Sequence, residues 1–320
     1  PGPVHLSLPV DIMFSSFEED AGRDERPWVR HQTRPQRAWP EPKRLTDILN
    51  IVENSERPVI IGGHGIWWSH SEKSLAEVGE KLKIPIFNVP YHTKLLGEDC
   101  SANMGLADFH QYHPSKMAIH EADTVIMIGG RLDNQMNFGN PPFIPKDTKL
   151  ICVNGSSEEL EYNFAADEIL LSHPAAFLDA MTSINRKWEN WFELQTERRK
   201  KWVEDWENHL LKEEIEDSKS NRKMHPLQLG VDIISEMNDE DWLVFDGGNT
   251  HFWNEIAVNI SGWRGKKLGG IMHPGNYSLL GVGISFGISA KAAYPDKNVV
   301  VISGDGAFLS GGLSIESAFQ

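Results

Sequence analysis

The sequence predicts an α/β fold of doubly wound parallel-sheet domains. Short apolar, β-branched runs recur from Leu45 onward, stretches with apolar residues three and four apart separate them, and glycines follow several runs where a strand would turn into a helix.

In order, the opening residues Pro1 to Asp11 read as an apolar strand arriving from elsewhere, and residues 1–12 are set apart on that basis. Residues 13–44 carry many charges together with Pro27, Pro35, Pro40 and Pro42, and read as a linker without regular elements. Pro58-Val59-Ile60-Ile61-Gly62-Gly63 is a strand and turn, and Leu75, Val78 and Leu82 predict a helix from Glu72 to Leu82. Ile84 to Asn88, Thr124 to Gly130, Lys149 to Val153 and Glu168 to Leu171 supply four more strands, giving a doubly wound domain over 45–184. Residues 185–223 form a helical linker, in which Trp188, Trp191, Trp202 and Trp206 share one stripe; packing against a neighbouring domain is favoured over a stacking face for a ligand. A second α/β unit spans 224–320: a helix through Leu227 to Met237, a strand Trp242 to Phe245, a helix Gly281 to Ala293 and a strand Asn298 to Ser303.

Composition narrows the partners. The 320 residues hold 31 basic and 46 acidic side chains, a formal charge of −15, which repels phosphate backbones; no nucleic-acid partner is expected, and an acidic surface serves solubility. No apolar run approaches the roughly 20 residues that cross a bilayer, and no basic-then-apolar leader opens the sequence, so no membrane partner and a cytoplasmic location are expected. Cys100 and Cys152 lack metal or redox spacing, and Cys152 reads as a buried small hydrophobe.

Three strand-to-loop junctions carry the chemistry. Asp246-Gly247-Gly248-Asn249-Thr250 allows close backbone approach and offers side-chain hydrogen bonds at a helix start; a helix cap explains it equally well. His273 to Gly283 is a long glycine-containing loop entering a helix of small residues, where Gly283, Gly287 and Ala290 also permit close helix packing. Ser303-Gly304-Asp305-Gly306-Ala307 sets a carboxylate between glycines just after a buried strand. There it suits a hard-oxygen ligand for Mg²⁺ beside amides that face phosphate, or a simple turn.

The run Ser278 to Phe308, taken with Gly248-Asn249-Thr250, resembles the thiamine-diphosphate domain of the acetohydroxyacid synthase-like enzyme family. Gly129-Gly130-Arg131-Leu132-Asp133, Phe138-Gly139-Asn140-Pro141-Pro142 and Glu158-Glu159-Leu160 are most similar to its 2-hydroxyacyl-CoA lyase and oxalyl-CoA decarboxylase branch. The resemblance implies a tail of a pyrimidine-binding domain at 1–12, a central domain and part of a diphosphate-binding domain. It implies Asp305 as the Mg²⁺ ligand, Gly304, Gly306, Ala307, Gly248, Asn249 and Thr250 around the diphosphate, and Leu280 as the bulky residue holding the cofactor bent. The backbone of Ser278 and Leu280, with Leu279 between them, would face the aminopyrimidine. A bent cofactor brings its amino group against the thiazolium carbon, so that an internal proton transfer activates it.

The family's catalytic glutamate and its second, Asn, metal ligand match no residue of this chain, which is therefore expected to hold half a cofactor site and to show no turnover alone. Arg131-Leu132-Asp133-Asn134-Gln135 lacks the second arginine of the flavin-contacting stretch, so FAD is not expected; ADP or the adenine of CoA would instead meet Arg131 and Asn154. A surface ion pair is the plainer reading of Arg131. The implied activity is a thiamine-diphosphate- and Mg²⁺-dependent lyase or carboligase acting on 2-hydroxyacyl-CoA, in reverse on formyl-CoA. The alternatives are acetolactate synthase-like carboligation of pyruvate, a 2-keto acid, and a non-catalytic nucleotide-binding homologue. His273, Asn276, Tyr277 and His251 are pocket candidates, and a homodimer or homotetramer is implied.

Overall fold

The computed structural model describes residues 5–16, 37–89, 95–97, 99–109, 113–160, 162–163, 165–220 and 224–319, without the side chains of 211, 213–220 and 276. The chain divides into two compact units, Pro1–Ala38 and Trp39–Gln320. In the first, α1 (Val10–Met13) is a single turn, and the described residues before it form no strand. The strand expected over Pro1 to Asp11 is corrected for its described part, residues 5–11: a strand exists only through ladder bonds, and Leu6, Leu8 and Val10 stand exposed. Residues 1–4 lie outside the described set. Of the expected linker, residues 17–36 lie outside the described set.

The second unit opens with α2 (Pro42–Asn54). Pro42, expected to break structure, instead occupies the first helical turn, where its missing N–H costs nothing, and the Glu41 carboxylate accepts from the Lys43 and Arg44 amides at 3.2 Å. There follow β1 (Pro58–Gly62), α3 (His64–Trp68), α4 (Glu72–Leu82), β2 (Ile86–Asn88), β3 (Asn103–Leu106), α5 (His113–Glu121), β4 (Thr124–Ile128), β5 (Lys149–Asn154), β6 (Glu168–Leu171) and α6 (Pro174–Met181). Their six strands make one parallel sheet in the order β3-β2-β1-β4-β5-β6, so the topology reverses between β1 and β4. β1 and β4 are buried along their whole length, which is why both read as unbroken apolar runs. The α4 helix sits directly on the sheet: a Cβ on Gly79 would lie 2.5 Å from Ile86 Cδ1.

Asp123, just before β4, ties this sheet to α2. Its carboxylate accepts from Ser55 Oγ, from the Glu56 amide at 2.7 Å and from the Arg57 amide at 3.0 Å. Burial alone would raise its pKa, but these bonds and the Arg57 charge together hold it below the usual carboxylate range. A depressed carboxylate stabilises the fold above its unfolded value near about 3.9 and loses that contribution as pH falls through the folded value. Asp123→Asn should therefore cost about 1 kcal/mol at neutral pH, with the difference from the parent closing below about pH 4 in urea titrations.

The long helix α7 (Glu189–Ser220) crosses from the first sheet to the second. Trp188 Nε1 donates to Ser55 O at 2.8 Å, Trp191 Nε1 donates to Pro58 O at 2.9 Å, Trp202 is buried, and Trp206 packs edge-on against Trp253. The stripe is a packing face.

Beyond it lie α8 (Pro226–Glu236), β7 (Trp242–Phe245), α9 (Asn249–Trp263), β8 (Gly270–Met272), α10 (Gly283–Ala293), β9 (Val299–Ile302) and α11 (Asp305–Gly311). Their strands form a second parallel sheet, β8-β7-β9, with Leu243 opposite Val300 and Phe245 opposite Ile302. A Cβ on Gly287 would lie 2.4 Å from Val301 Cγ2, so the small residues of α10 do provide the close packing that was one reading of that loop and helix. Among the described residues no helix is long and apolar enough to cross a membrane.

Candidate functional site

Three loops meet at the carboxyl ends of β7 and β9, where open α/β sheets bind ligands. Between β7 and α9 the chain turns through Gly247 and Gly248; Gly248 has φ 77°, a conformation that costs glycine little. A Cβ on Gly247 would lie 2.8 Å from Ser278 O and 3.1 Å from Leu280 Cδ2, so this turn lies directly against the Ser278–Leu280 loop. Leu280 is half exposed and leans over the turn, its Cδ2 3.5 Å from the Cβ position of Gly248. The third loop closes the group, with Thr250 Oγ1 3.2 Å from a Cβ placed on Gly304. Gly248, Thr250, Ser278, Leu279, Leu280 and Gly304 are thus brought together, and Asn249, Asp305, Gly306 and Ala307 adjoin them in the chain, a grouping termed the cradle.

Asp305 is the first residue of α11, with Gly304 as its cap, so the Gly-Asp-Gly expected as a turn is a strand-to-helix start. The Asp305 carboxylate is exposed, its Oδ1 accepting from the Gly306 amide at 2.8 Å. Gly306 opens onto free space: a Cβ there would meet nothing within 4 Å. The first-turn amides of such a helix have no backbone partner within it and attract anions, the Asp305 carboxylate itself being the acceptor for the Gly306 amide. Among the described residues no group of three His, Cys, Asp or Glu side chains could hold a metal, so Asp305 would be at most part of a cation's ligand set, with oxygens of other kinds completing it.

The pocket candidates separate. His273 stacks on Phe245 with ring centroids 5.2 Å apart, and its Nδ1 accepts from the Gly275 amide at 3.2 Å. His173 and His225 accept the amides of Ala175 and Leu227 in the same way, so a His-Pro step that caps the following turn recurs through the chain. Position rather than this bond therefore singles out His273. His251 is only 3% exposed, with Nε2 3.3 Å from Glu255 Oε1 on the next turn of α9. It lies in the core beneath Phe245 and His273, and this burial is at odds with a pocket-lining role. Tyr277 is almost fully exposed, and the Asn276 side chain lies outside the described residues.

The adenine candidates stand at the other sheet. Arg131 makes a two-point ion pair with Glu159, and its guanidinium lies 4.3 Å from the centre of the Tyr162 ring, which is the plainer reading of that residue. The Glu159 bond is the chief cause of a raised Arg131 pKa. Burial, then the Arg131 charge, lowers the His64 imidazole nearby. Asn154 Oδ1 accepts from the Ser156 amide at 3.2 Å. At the switch point the loops after β1 and β4 touch, Gly65 N donating to Gly129 O at 2.7 Å. A cavity of about 380 Å³ opens at the amino end of β7, beside Trp242, Gly269 and Leu96, remote from the cradle.

One residue of the site was read only as part of a turn. Asp246, completely buried, gathers hydrogen bonds from all three loops. Its spacing before two glycines looks like turn chemistry, and nothing in the sequence marks the convergence of distant donors on it.

Two family models match the chain: the thiamine pyrophosphate enzyme central domain over residues 45–181, and the thiamine pyrophosphate enzyme C-terminal TPP binding domain over residues 248–320. Among curated proteins, the acetolactate synthase large subunit of Lactococcus lactis subsp. lactis is 27% identical over 312 residues, covering 96% of this chain and 50% of the relative. The 2-hydroxyacyl-CoA lyase 1 of Dictyostelium discoideum is 26% identical over 344 residues, covering 100% and 57%. The 2-hydroxyacyl-CoA lyase of Arabidopsis thaliana is 25% identical over 344 residues, covering 99% and 54%. The chain spans about half the length of the curated relatives it matches.

Proposed function

The chain belongs to the thiamine pyrophosphate enzyme family, and from that premise we propose that the protein is a thiamine-diphosphate- and Mg²⁺-dependent lyase or carboligase. In this reading it cleaves a 2-hydroxyacyl-CoA, or joins formyl-CoA to an aldehyde or ketone. The observation that carries the proposal is the convergence of the three loops on one open cradle.

The donor set fits the cofactor. Asp305 offers a hard carboxylate oxygen to Mg²⁺, the amides of Gly304, Gly306 and Ala307 and the Gly248–Thr250 turn offer donors to a diphosphate, and Leu280 offers an apolar prop above the turn. Thiamine diphosphate, when bound, supplies an electron sink at the carbon where the C–C bond is broken or made. The residues of this chain bind and orient: Leu280 and the Ser278 and Leu280 backbone set the ring half, and Asp305 with the glycine amides sets the charged half. His273, with Nδ1 engaged by the Gly275 amide, is retained as the loop's candidate to approach a substrate.

An acyl-CoA substrate is supported by the lyase relatives and by Gln135, buried in the loop after β4 where a flavin-contacting arginine would stand. Its backbone N–H donates to Asp133 Oδ1 and its backbone carbonyl accepts from Phe109 N, so the position is built into the loop. The acetolactate synthase relative supports the second reading, with pyruvate as substrate. The full-length protein, loaded with thiamine diphosphate and Mg²⁺, is expected to consume formyl-CoA with an aldehyde or ketone. Acetolactate from pyruvate, with no CoA-dependent product, would overturn the acyl-CoA assignment. We further propose that the protein is cytoplasmic and works as a homodimer or homotetramer, with ADP or the CoA adenine near Arg131 and Asn154.

A further inference from the structure

Asp246 follows the last residue of β7, and no part of its side chain is exposed. Its Oδ1 accepts from the Gly247 amide at 2.8 Å and the Gly281 amide at 2.9 Å; its Oδ2 accepts from the Gly283 amide at 3.0 Å and from Ser303 Oγ at 3.2 Å. Its own amide donates to Ile302 O at 2.9 Å. The donors come from its own turn, from the loop that carries Leu280 and from the segment that carries Asp305, so one carboxylate ties together every part of the cradle.

We infer that Asp246 is a positioning residue for the cofactor: its buried carboxylate fixes the spacing of the three cradle loops before thiamine diphosphate arrives. The inference rests on the function proposed above. Four donors facing one side chain demand an acceptor on every side, which an ionised carboxylate provides and an amide does not. An asparagine would turn an NH₂ toward donors on one edge, leaving the Gly283 amide unmatched in a dry site. Close backbone approach is part of the same device. Gly281 has φ 90°, and a Cβ on Gly283 would lie 2.8 Å from Oδ2, so the donors reach the carboxylate only because both residues lack side chains. Asp246 acts through these donors, and preset geometry lowers the ordering cost of binding.

The test is Asp246→Asn in the full-length protein, titrated with thiamine diphosphate and Mg²⁺ in a calorimeter, with the near-ultraviolet circular dichroism of the bound cofactor recorded alongside. The dissociation constant is expected to rise about tenfold to a hundredfold, and the cofactor band to change shape or vanish, while far-ultraviolet dichroism keeps the parent spectrum. Ser303→Ala removes one donor of four and serves if Asp246→Asn does not fold; it is expected to weaken binding about two- to fivefold, with the band altered in the same sense. Parent affinity and an unchanged band in whichever variant folds, even with a lowered melting temperature, would show a purely structural role and overturn the inference alone. Failure of the unsubstituted protein to bind the cofactor would overturn the proposed function first.

Discussion

Replacing Asp305 by Ala is expected to abolish Mg²⁺-dependent binding of thiamine diphosphate, raising its dissociation constant at least about a hundredfold, while leaving the fold intact. Mg²⁺ requires near-octahedral oxygen ligation and is commonly held by one or two carboxylates with substrate phosphates completing the shell. Among the described residues no group of three His, Cys, Asp or Glu side chains offers an alternative metal site. The side chain is exposed and accepts from the amide of the next residue, so its removal disturbs little packing. Calorimetric titration of parent and variant, each with and without Mg²⁺, checks the prediction. Metal-dependent binding that survives in Asp305→Ala would show that another group holds the cation.

The second large effect lies in the central sheet. A Cβ on Gly63 would stand 2.2 Å from Gly130 Cα and 2.5 Å from Gly129 O, both backbone atoms that cannot swing aside as a side chain can. The loops after β1 and β4 are bonded across the same contact, Gly63 N donating to Ile128 O at 2.9 Å. Gly63→Ala must therefore part the two central strands at their carboxyl ends, at a cost of about 3–5 kcal/mol and a melting temperature lowered by on the order of 10 °C. Gly155→Ala is the control: its Cβ would meet only Ser172 O at 3.9 Å, and a change within about 0.5 kcal/mol is expected. Thermal and urea denaturation of the two variants separates these outcomes, and equal small effects would mean that the two loops do not pack as described.

What the sequence revealed depended on whether a signal was local. β1, β4, β5 and β7 announced themselves because strands buried on both faces become runs of β-branched and other apolar residues. β3 went unseen: Asn103-Met104-Gly105-Leu106 has no β-branched residue, and its strand form follows from pairing with β2. β8, only Gly270-Ile271-Met272, is too short to stand out, and Gly270 is there because the Trp242 ring would clash with any Cβ. Pro42 misled in the opposite direction, since the same ring that ends a helix interior also opens one.

The cradle followed the same division. Gly304-Asp305-Gly306 was legible as a unit because strand, carboxylate and glycines are adjacent in the chain. The burial of His251 was not, because neighbours such as Phe245 and His273 reach its ring only in the folded chain. Asp246 was the least legible of all: its partners lie 35, 37 and 57 residues away, and only the fold brings them to one carboxylate.

The central claim, that these three loops form a thiamine diphosphate cradle, is tested most directly by a crystal structure of the full-length protein grown with thiamine diphosphate and Mg²⁺. The account predicts the metal at roughly 2.0–2.1 Å from an Asp305 oxygen, the diphosphate against Gly248–Thr250 and Gly304–Ala307, and Leu280 beneath the bent cofactor. A cofactor bound elsewhere, or a metal with no bond to Asp305, would contradict it.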